Sequence, residues 1–331
     1  MPTSPHPTPR VITADDLERA IDVPALLDEI ADGFVAYSAG RVVVPPVGHL
    51  PLSDSRGDVH GDVHIKYGYI QGDDVYVIKV AAGVEENAAR GLPSGDGLML
   101  VFDRRTGFTQ AILIDHARLT DLRTAAAGAV AARALARRDI RRIGIIGAGV
   151  QGRLQLRLLA HVTPCRDVLV HSRTRAHAEA YVRDMGDLGI RVEIAPSAGA
   201  LARQCDLIVT ATAARAPLFD AEAVRPGAHV TAVGADAPGK QELDPELFRR
   251  AGVVVVDSRA QTADHGELAH ALAAGAATVD GVRELGEVLA DASRGRTSDD
   301  EITLCDLTGV AVQDIVIARH ALSRIDRAGG R

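Results

Sequence analysis

The sequence is organised around Arg142-Ile143-Gly144-Ile145-Ile146-Gly147-Ala148-Gly149-Val150-Gln151-Gly152. Ile143, Ile145 and Ile146 form a short apolar run with the β-branched chemistry of a strand buried in a parallel sheet. The run stops at Gly147-Ala148-Gly149, and apolar residues resume as Leu154, Leu156, Leu158 and Leu159 in a helical pattern. A glycine turn alone says little; strand, turn and helix in this order predict the first βα unit of a dinucleotide-binding fold. Each glycine has its own task there. Gly147 permits the tight turn, Gly149 lets backbone approach a pyrophosphate, and Gly152 lets helix and strand pack closely. The phosphates then meet free N–H groups at the helix start.

A second strand, Val168-Leu169-Val170, ends at His171-Ser172-Arg173-Thr174. Sites that prefer NAD place an acid here for the ribose 2′-hydroxyl, whereas an arginine accommodates a 2′-phosphate. Ser172, Arg173 and Thr174 therefore favour NADP(H) over NAD(H), the alternative being that Arg173 is merely solvated. Short apolar strands at 207–210, 229–234 and 253–257 alternate with helical stretches, which gives the expected class: α/β, a Rossmann doubly wound parallel sheet.

The chain before residue 118 reads differently. Thr13-Ala14-Asp15-Asp16 caps a helix start, and residues 21–37 carry apolar positions at helical spacing up to Gly40. Two hairpins follow: 63–69 with 75–80 around Gly72-Asp73-Asp74, and 97–103 with 109–114 around Arg105-Thr106-Gly107. This is an α+β unit without a nucleotide fingerprint. The expected division is a domain at 1–118, joined by a C-terminal helix at about 310–331, and a nucleotide domain at 119–309. The long Ala-rich helix opening the second domain takes Thr120 as its N-cap, which puts Arg123 in the first turn.

Composition excludes several classes. A net charge of −7 over 331 residues gives no electrostatic reason to bind nucleic acid or an anionic membrane. No apolar run reaches transmembrane length. Cys165, Cys205 and Cys305 are too few and too scattered for a disulfide framework, which fits a cytoplasmic protein. Residues 1–10 read as a frayed tail and not a signal peptide.

Three residues stand out as chemistry. Lys79 ends an apolar strand, where its charge costs free energy unless it faces a cleft or snorkels to the edge. Arg123 lies near a helix start, where guanidinium and peptide N–H groups favour an anion; it also suits a helix surface. Asp236 follows the strand at 229–234, at the edge where parallel sheets bind ligands, or forms an Asx turn.

The words around these residues resemble the ornithine cyclodeaminase/μ-crystallin family over about residues 40–320. They are Gly91-Leu92-Pro93-Ser94, Leu119-Thr120-Asp121-Leu122-Arg123-Thr124-Ala125-Ala126, the glycine fingerprint, and Thr210-Ala211-Thr212. Gly234-Ala235-Asp236-Ala237-Pro238-Gly239-Lys240-Gln241-Glu242-Leu243, Gly266-Glu267-Leu268 and residues 302–309 complete the series. The resemblance implies a homodimer with an α+β substrate and dimerisation domain, and hydride transfer between NAD(P) and the α-carbon of an amino acid or its imine. It implies that Lys79 and Arg123 hold the α-carboxylate, that Lys79 and Asp236 are catalytic, and that Asp236 handles protons at nitrogen. Gly147, Gly149, Val150, Gln151 and Gly152 would cradle the pyrophosphate. Ser94, Thr210, Ala211, Thr212, Gly234 and Thr308 would lie along the cofactor.

Two departures matter. The family's arginine after the first proline word is absent; Pro45-Pro46 is followed by Val47-Gly48-His49, so that carboxylate contact is either missing or replaced by His49. Cyclodeaminases for ornithine carry a glutamate thirteen residues before the substrate lysine, and this chain has Lys66 there. A lysine repels a side-chain ammonium. His60 and His64 suggest a metal site, but without a cluster of acids a solvated or anion-contacting role is expected and no metal. The reading is an imine reductase or amino-acid dehydrogenase acting on a small 2-imino acid, of alanine or aspartate type. The alternatives are ornithine cyclodeaminase and a non-enzymatic NADP(H)-dependent small-molecule binding protein.

Overall fold

The computed structural model describes residues 6–55, 57–93 and 95–329. The chain divides into two compact units, one of Met1–Glu29, Ala39–Arg123 and Ala311–Arg331, the other of Ile30–Ser38 and Thr124–Val310. The strands are β1 (Arg10–Thr13), β2 (Val42–Val43), β3 (Gly48–Ser53), β4 (Val59–Ile70), β5 (Val75–Val84), β6 (Gly95–Asp103), β7 (Thr109–Ile114) and β8 (Ile143–Ile146). They continue as β9 (Asp167–His171), β10 (Arg191–Ile194), β11 (Leu207–Thr210), β12 (His229–Ala232), β13 (Val253–Val256), β14 (Arg283–Glu284) and β15 (Thr303–Asp306). The helices that matter below are α1 (Ala14–Ala20), α2 (Val23–Ser38), α3 (Arg118–Leu135), α4 (Val150–Leu159) and α5 (Arg175–Asp184). A further helix, α6 (Ala311–Gly329), ends the chain.

In the first unit the sheet order is β1-β7-β6-β5-β4-β2, with β3 also paired to β4. Side chains alternate across it. One face carries Ile12, Leu113, Met99 and Val77, all buried, and α6 packs over β4 and β5. The opposite face carries an apolar row made by register: Val11 opposite Ile112, Ile112 opposite Leu100, Leu100 opposite Ile78, and Ile78 opposite Tyr67. Val11 is 61% and Tyr67 38% exposed, and Ile112, Leu100 and Ile78 are half-buried. Beside this row the rings of Tyr76 and Phe102 stack at 4.7 Å.

The second unit is the doubly wound sheet read from the sequence, with every strand pair parallel and order β10-β9-β8-β11-β12-β15-β13-β14. The order reverses between β8 and β11, which places the β8–α4 turn at a topological switch point, the edge where such sheets take ligands. Apolar side chains fill both faces: Val230, Leu304, Leu247 and Leu268 on one, Ile145, Val170, Leu159 and Tyr181 on the other.

Three local expectations change. Residues 21–37 are not one helix with the capped start: Thr13 accepts from the Asp16 N–H to start α1, which ends at Ile21 in extended conformation before α2 begins. Thr120 is not an N-cap. Helix α3 begins at Arg118, where Asp115 Oδ2 accepts from the Leu119 N–H at 3.0 Å after a turn with left-handed His116 (φ 51°) and Ala117 (φ 64°). Arg123 therefore lies in the second turn, with its position fixed by packing and not by a terminal dipole. Among the described residues no helix is long and apolar enough to cross a membrane, and all three cysteines are free and buried.

Candidate active site

The glycine turn has the geometry its spacing predicts. Gly147 has φ 115°, and a Cβ there would lie 2.3 Å from the Ala211 carbonyl oxygen. A Cβ on Gly152 would lie 1.9 Å from the Gly147 carbonyl oxygen, so only glycine lets α4 approach β8. Gly149 is the N-cap of α4, offers no side-chain cap, and has no atom within 4 Å of where its Cβ would be. Val150 beside it is exposed, and Gln151 is half-buried on the first turn. Uncapped helix N–H groups beside open space fit a pyrophosphate.

At the end of β9, His171, Ser172, Arg173, Arg175, Ile194, Ala195 and Pro196 line a cleft of about 350 Å³. The lining holds two guanidinium groups and no carboxylate. Arg175, which the sequence reading did not single out, donates to Glu179 at 2.9 Å across one turn of α5. Thr174 is the N-cap residue of α5 without a side-chain cap bond.

Beyond β11 and β12 the backbone is held by buried carboxylates that sequence reasoning left without a role. Glu242 Oε2 accepts from Thr210 Oγ1 at 2.7 Å and from the Gly234 N–H at 2.8 Å; Oε1 accepts from the Thr212 N–H at 2.6 Å and Thr212 Oγ1 at 2.7 Å. Glu267 accepts from the backbone N–H groups of Glu242 at 2.7 Å and Leu243 at 3.0 Å. Asp257 accepts from the N–H groups of Thr308 (2.9 Å) and Gly309 (2.6 Å), while Gln261 donates to Thr308 Oγ1 at 2.9 Å. The hydroxyls of Thr210 and Thr212 thus bind protein carboxylate, and these loops are set by acids behind them. Burial pushes Glu267 up to about 8 and raises Glu242 and Asp306 as well. Asp236 sits in the exposed loop after β12, where Lys240 Nζ donates to it at 2.6 Å. Ser94 lies outside the described residues.

In the first unit, Lys79 and Arg123 meet on a residue the sequence reading passed over. Arg123 Nε donates to Asp314 Oδ1 at 2.9 Å and Nη1 to Gln313 Oε1 at 2.7 Å, while Lys79 Nζ stands 3.4 Å from Asp314 Oδ2. Lys79 is 3% and Asp314 1% exposed. Burial works against the Asp314 charge, but Arg123, Lys79 and Lys66 outweigh it and hold the carboxyl below its usual range. Burial pushes the Lys79 ammonium down, with Asp314 opposing. Lys66 is the direct cross-strand partner of Lys79 and is half-buried. Asp115, at the start of α3, is pushed by burial up to about 6. Asp314 carried one available signal: an acid in the first turn of a helix, followed directly by the apolar run Ile315-Val316-Ile317, where burial demands a cationic partner.

The expectation that no acid accompanies the histidines is overturned. His49 on β3 is the direct partner of His64 on β4, and Asp62 lies two residues before His64 on the same strand face. Asp62 Oδ2 stands 3.6 Å from His49 Nε2 and 3.8 Å from His64 Nε2. Alternate spacing on β4 brings Asp62 and His64 to one face, strand pairing adds His49, and His60 is not part of the group.

Residues 8–328 match the ornithine cyclodeaminase/mu-crystallin family. The chain belongs to that family. A putative dehydrogenase of Rhizobium meliloti is 42% identical over 301 residues, 90% of each chain. A solved archaeal alanine dehydrogenase, a dimer with bound NAD, superposes with TM-score 0.89 at 32% identity over 97% of each chain. The iminosuccinate reductase of Paracoccus denitrificans, solved with NAD⁺, gives TM-score 0.88 at 30% identity, again over 97% of each. Pyrroline-2-carboxylate reductases and a lysine cyclodeaminase are also relatives. Family membership accounts for the fold, and the related enzymes are nicotinamide-dependent oxidoreductases acting on imines and amino acids.

The buried acids make stability pH-dependent in a defined direction. Glu267 is raised to about 8 when folded, so its favourable contribution is complete below the unfolded glutamate value and is lost as pH rises through 8. The melting temperature is expected to fall between pH 5 and 8, and Glu267→Gln to flatten that slope. Parallel melting curves for the two proteins would discard this assignment.

Proposed function

We propose that the chain is an NADP(H)-dependent imine reductase whose substrate is the imine of a small dicarboxylic 2-oxo acid. The observation that carries this reading is the pairing of Lys66 with Lys79 on neighbouring strands above Asp314. Lys79 and Arg123 bring two positive charges and Asp314 removes one, so that pair balances one α-carboxylate. Lys66 adds a further cation beside that pair, which favours a substrate carrying a second carboxylate. An ornithine side chain would instead bring an ammonium toward these cations, which disfavours ornithine cyclodeaminase. A cofactor-binding protein without activity would have no need of a buried lysine whose ammonium is destabilised, the state suited to passing a proton.

The first unit then holds the acid, with Arg123 orienting the carboxylate and Lys79 placed to exchange a proton. The second unit holds the cofactor along Gly147, Gly149, Val150, Gln151 and Gly152, with Thr212, Gly234 and Thr308 keeping its nicotinamide loops in shape. When bound, the reduced nicotinamide supplies hydride to the imine carbon. A proton goes to nitrogen, and Lys79 and Asp236, the latter with Lys240 as its charge partner, are the two candidate proton-handling residues. Ser172 and Thr174 flank Arg173 at the ribose end.

For cofactor choice, the two arginines and no acid lining the β9 cleft support NADP(H), although the solved alanine dehydrogenase and iminosuccinate reductase carry NAD. NADPH is expected to bind more tightly than NADH, and Arg173→Ala to lose most of the difference. Equal dissociation constants in the parent would end the preference.

The exposed apolar row Val11–Ile112–Leu100–Ile78–Tyr67 supports a homodimer formed through that sheet face, since monomers rarely leave such a surface to water. The parent is expected to sediment as a dimer and Ile78→Asp as a monomer. A monomeric parent, or a dimeric variant, counts against this face.

Substrate choice is tested with kcat/KM for iminosuccinate and for the imine of pyruvate, each formed from the 2-oxo acid and ammonia. The parent is expected to favour iminosuccinate by at least about tenfold, the value of one charge-assisted contact, with Lys66→Glu reversing the order. An unchanged ratio in the variant means that Lys66 does not read the substrate.

A further inference from the structure

The face of the sheet that carries Lys66 and Lys79 continues toward the β3–β4 hairpin, and there it changes character. Asp62, His64 and Lys66 follow one another at alternate positions of β4, and His49 joins them from β3. Opposite His64 and Asp62, strand β5 presents only Ala81 and Gly83, so no large side chain from that strand fills the space over these groups. A Cβ on Gly83 would already stand 3.5 Å from Asp62 Oδ1.

Within this clearing two imidazoles and a carboxylate converge without bonding one another. The Nε2 atoms of His49 and His64 stand 3.6 and 3.8 Å from the same Asp62 oxygen, too far for a hydrogen bond to it. All three ligand atoms lie within 4.8 Å of one another. The imidazole rings stack with centroids 5.1 Å apart and planes 28° from parallel. Metal–nitrogen and metal–oxygen bonds of about 2.0–2.2 Å place tetrahedral donors roughly 3.4 Å from each other. Two of the three separations are within a few tenths of an ångström of that value, and a small rotation of one imidazole closes the third.

We propose that His49, Asp62 and His64 form a binding site for a first-row divalent cation of the zinc type. Two neutral imidazoles and one carboxylate are the donor set that such ions select, and three protein ligands leave a position for water. His49 is exposed and the other two half-buried, so that position faces solvent. The ion would tie β3 to β4 by side chains at directly opposed positions, where the pairing otherwise rests on backbone bonds. The site is independent of which imine the chain reduces.

The test uses the full chain freed of metal by chelator, with Zn²⁺ titrated by calorimetry and Co²⁺ by visible absorption. One equivalent of Zn²⁺ per chain is expected. Bound Co²⁺ is expected to give the intense d–d bands of low coordination and no thiolate charge-transfer band, since the three cysteines are buried elsewhere. His49→Ala, His64→Ala and Asp62→Asn should each weaken binding by at least about tenfold, no less than the loss of an outer-shell partner costs a metal site. His116→Ala, which removes a histidine paired with Asp96 at 3.0 Å elsewhere on the surface, should leave binding unchanged. Circular dichroism checks that each variant is folded, and the parent's Co²⁺ spectrum stands whether or not they are. No saturable binding in the parent, a weak octahedral Co²⁺ spectrum, or full binding in the double His49→Ala/His64→Ala variant would overturn the site.

Discussion

The buried carboxylate of Asp314 is the constraint on which the first unit depends. Two long cationic side chains from different elements, a β-strand and a helix, enter the protein interior and end on it. Neither Lys79 nor Arg123 could be buried alone, because an unpaired ion in that environment costs several kcal/mol. Once Asp314 is present, the pair is offset to within one charge. The same contact ties the C-terminal helix to the sheet: Arg123 and Asp314 are 191 residues apart in sequence.

The second unit solves a different problem. A dinucleotide needs backbone, not side chains, at close range, and the loops at the carboxyl edge of a parallel sheet have little regular structure to hold them. Here Glu242, Asp257 and Glu267 supply acceptors to backbone N–H groups and hydroxyls of those loops from beneath. Threonine hydroxyls that would otherwise compete for a ligand are bound by Glu242. Burial raises the protonation range of Glu242 and Glu267, so rigidity at this edge of the sheet comes with sensitivity to alkaline conditions.

Much of this was legible in the sequence. The glycine turn, the parallel order of short apolar strands and the class of the fold follow from local pattern, because a strand–turn–helix unit is specified by adjacent residues. Lys79 could be picked out as a charge in an apolar strand, Arg123 by its place near a helix start, and Lys66 by its spacing from Lys79 in a family resemblance. The start of α3 was misplaced because Thr120 looks like a cap, while the operative one, Asp115, acts across a left-handed turn that no propensity of His116 or Ala117 announces. Asp314, Glu242 and Asp257 went without roles because an isolated acid in a sequence does not reveal its partner.

The sequence by itself determined the elements and their kind: periodicity and glycine spacing are local, and local sterics decide them. Tertiary structure alone decided which charges meet. Lys66 faces Lys79 because antiparallel register aligns β4 with β5, and His49 reaches Asp62 and His64 because β3 pairs with β4 at one register and not its neighbour. A slip of one residue in either pairing would turn these side chains to the opposite face of the sheet. Register is set by the packing of whole faces and by hairpin geometry, which no single stretch of sequence contains.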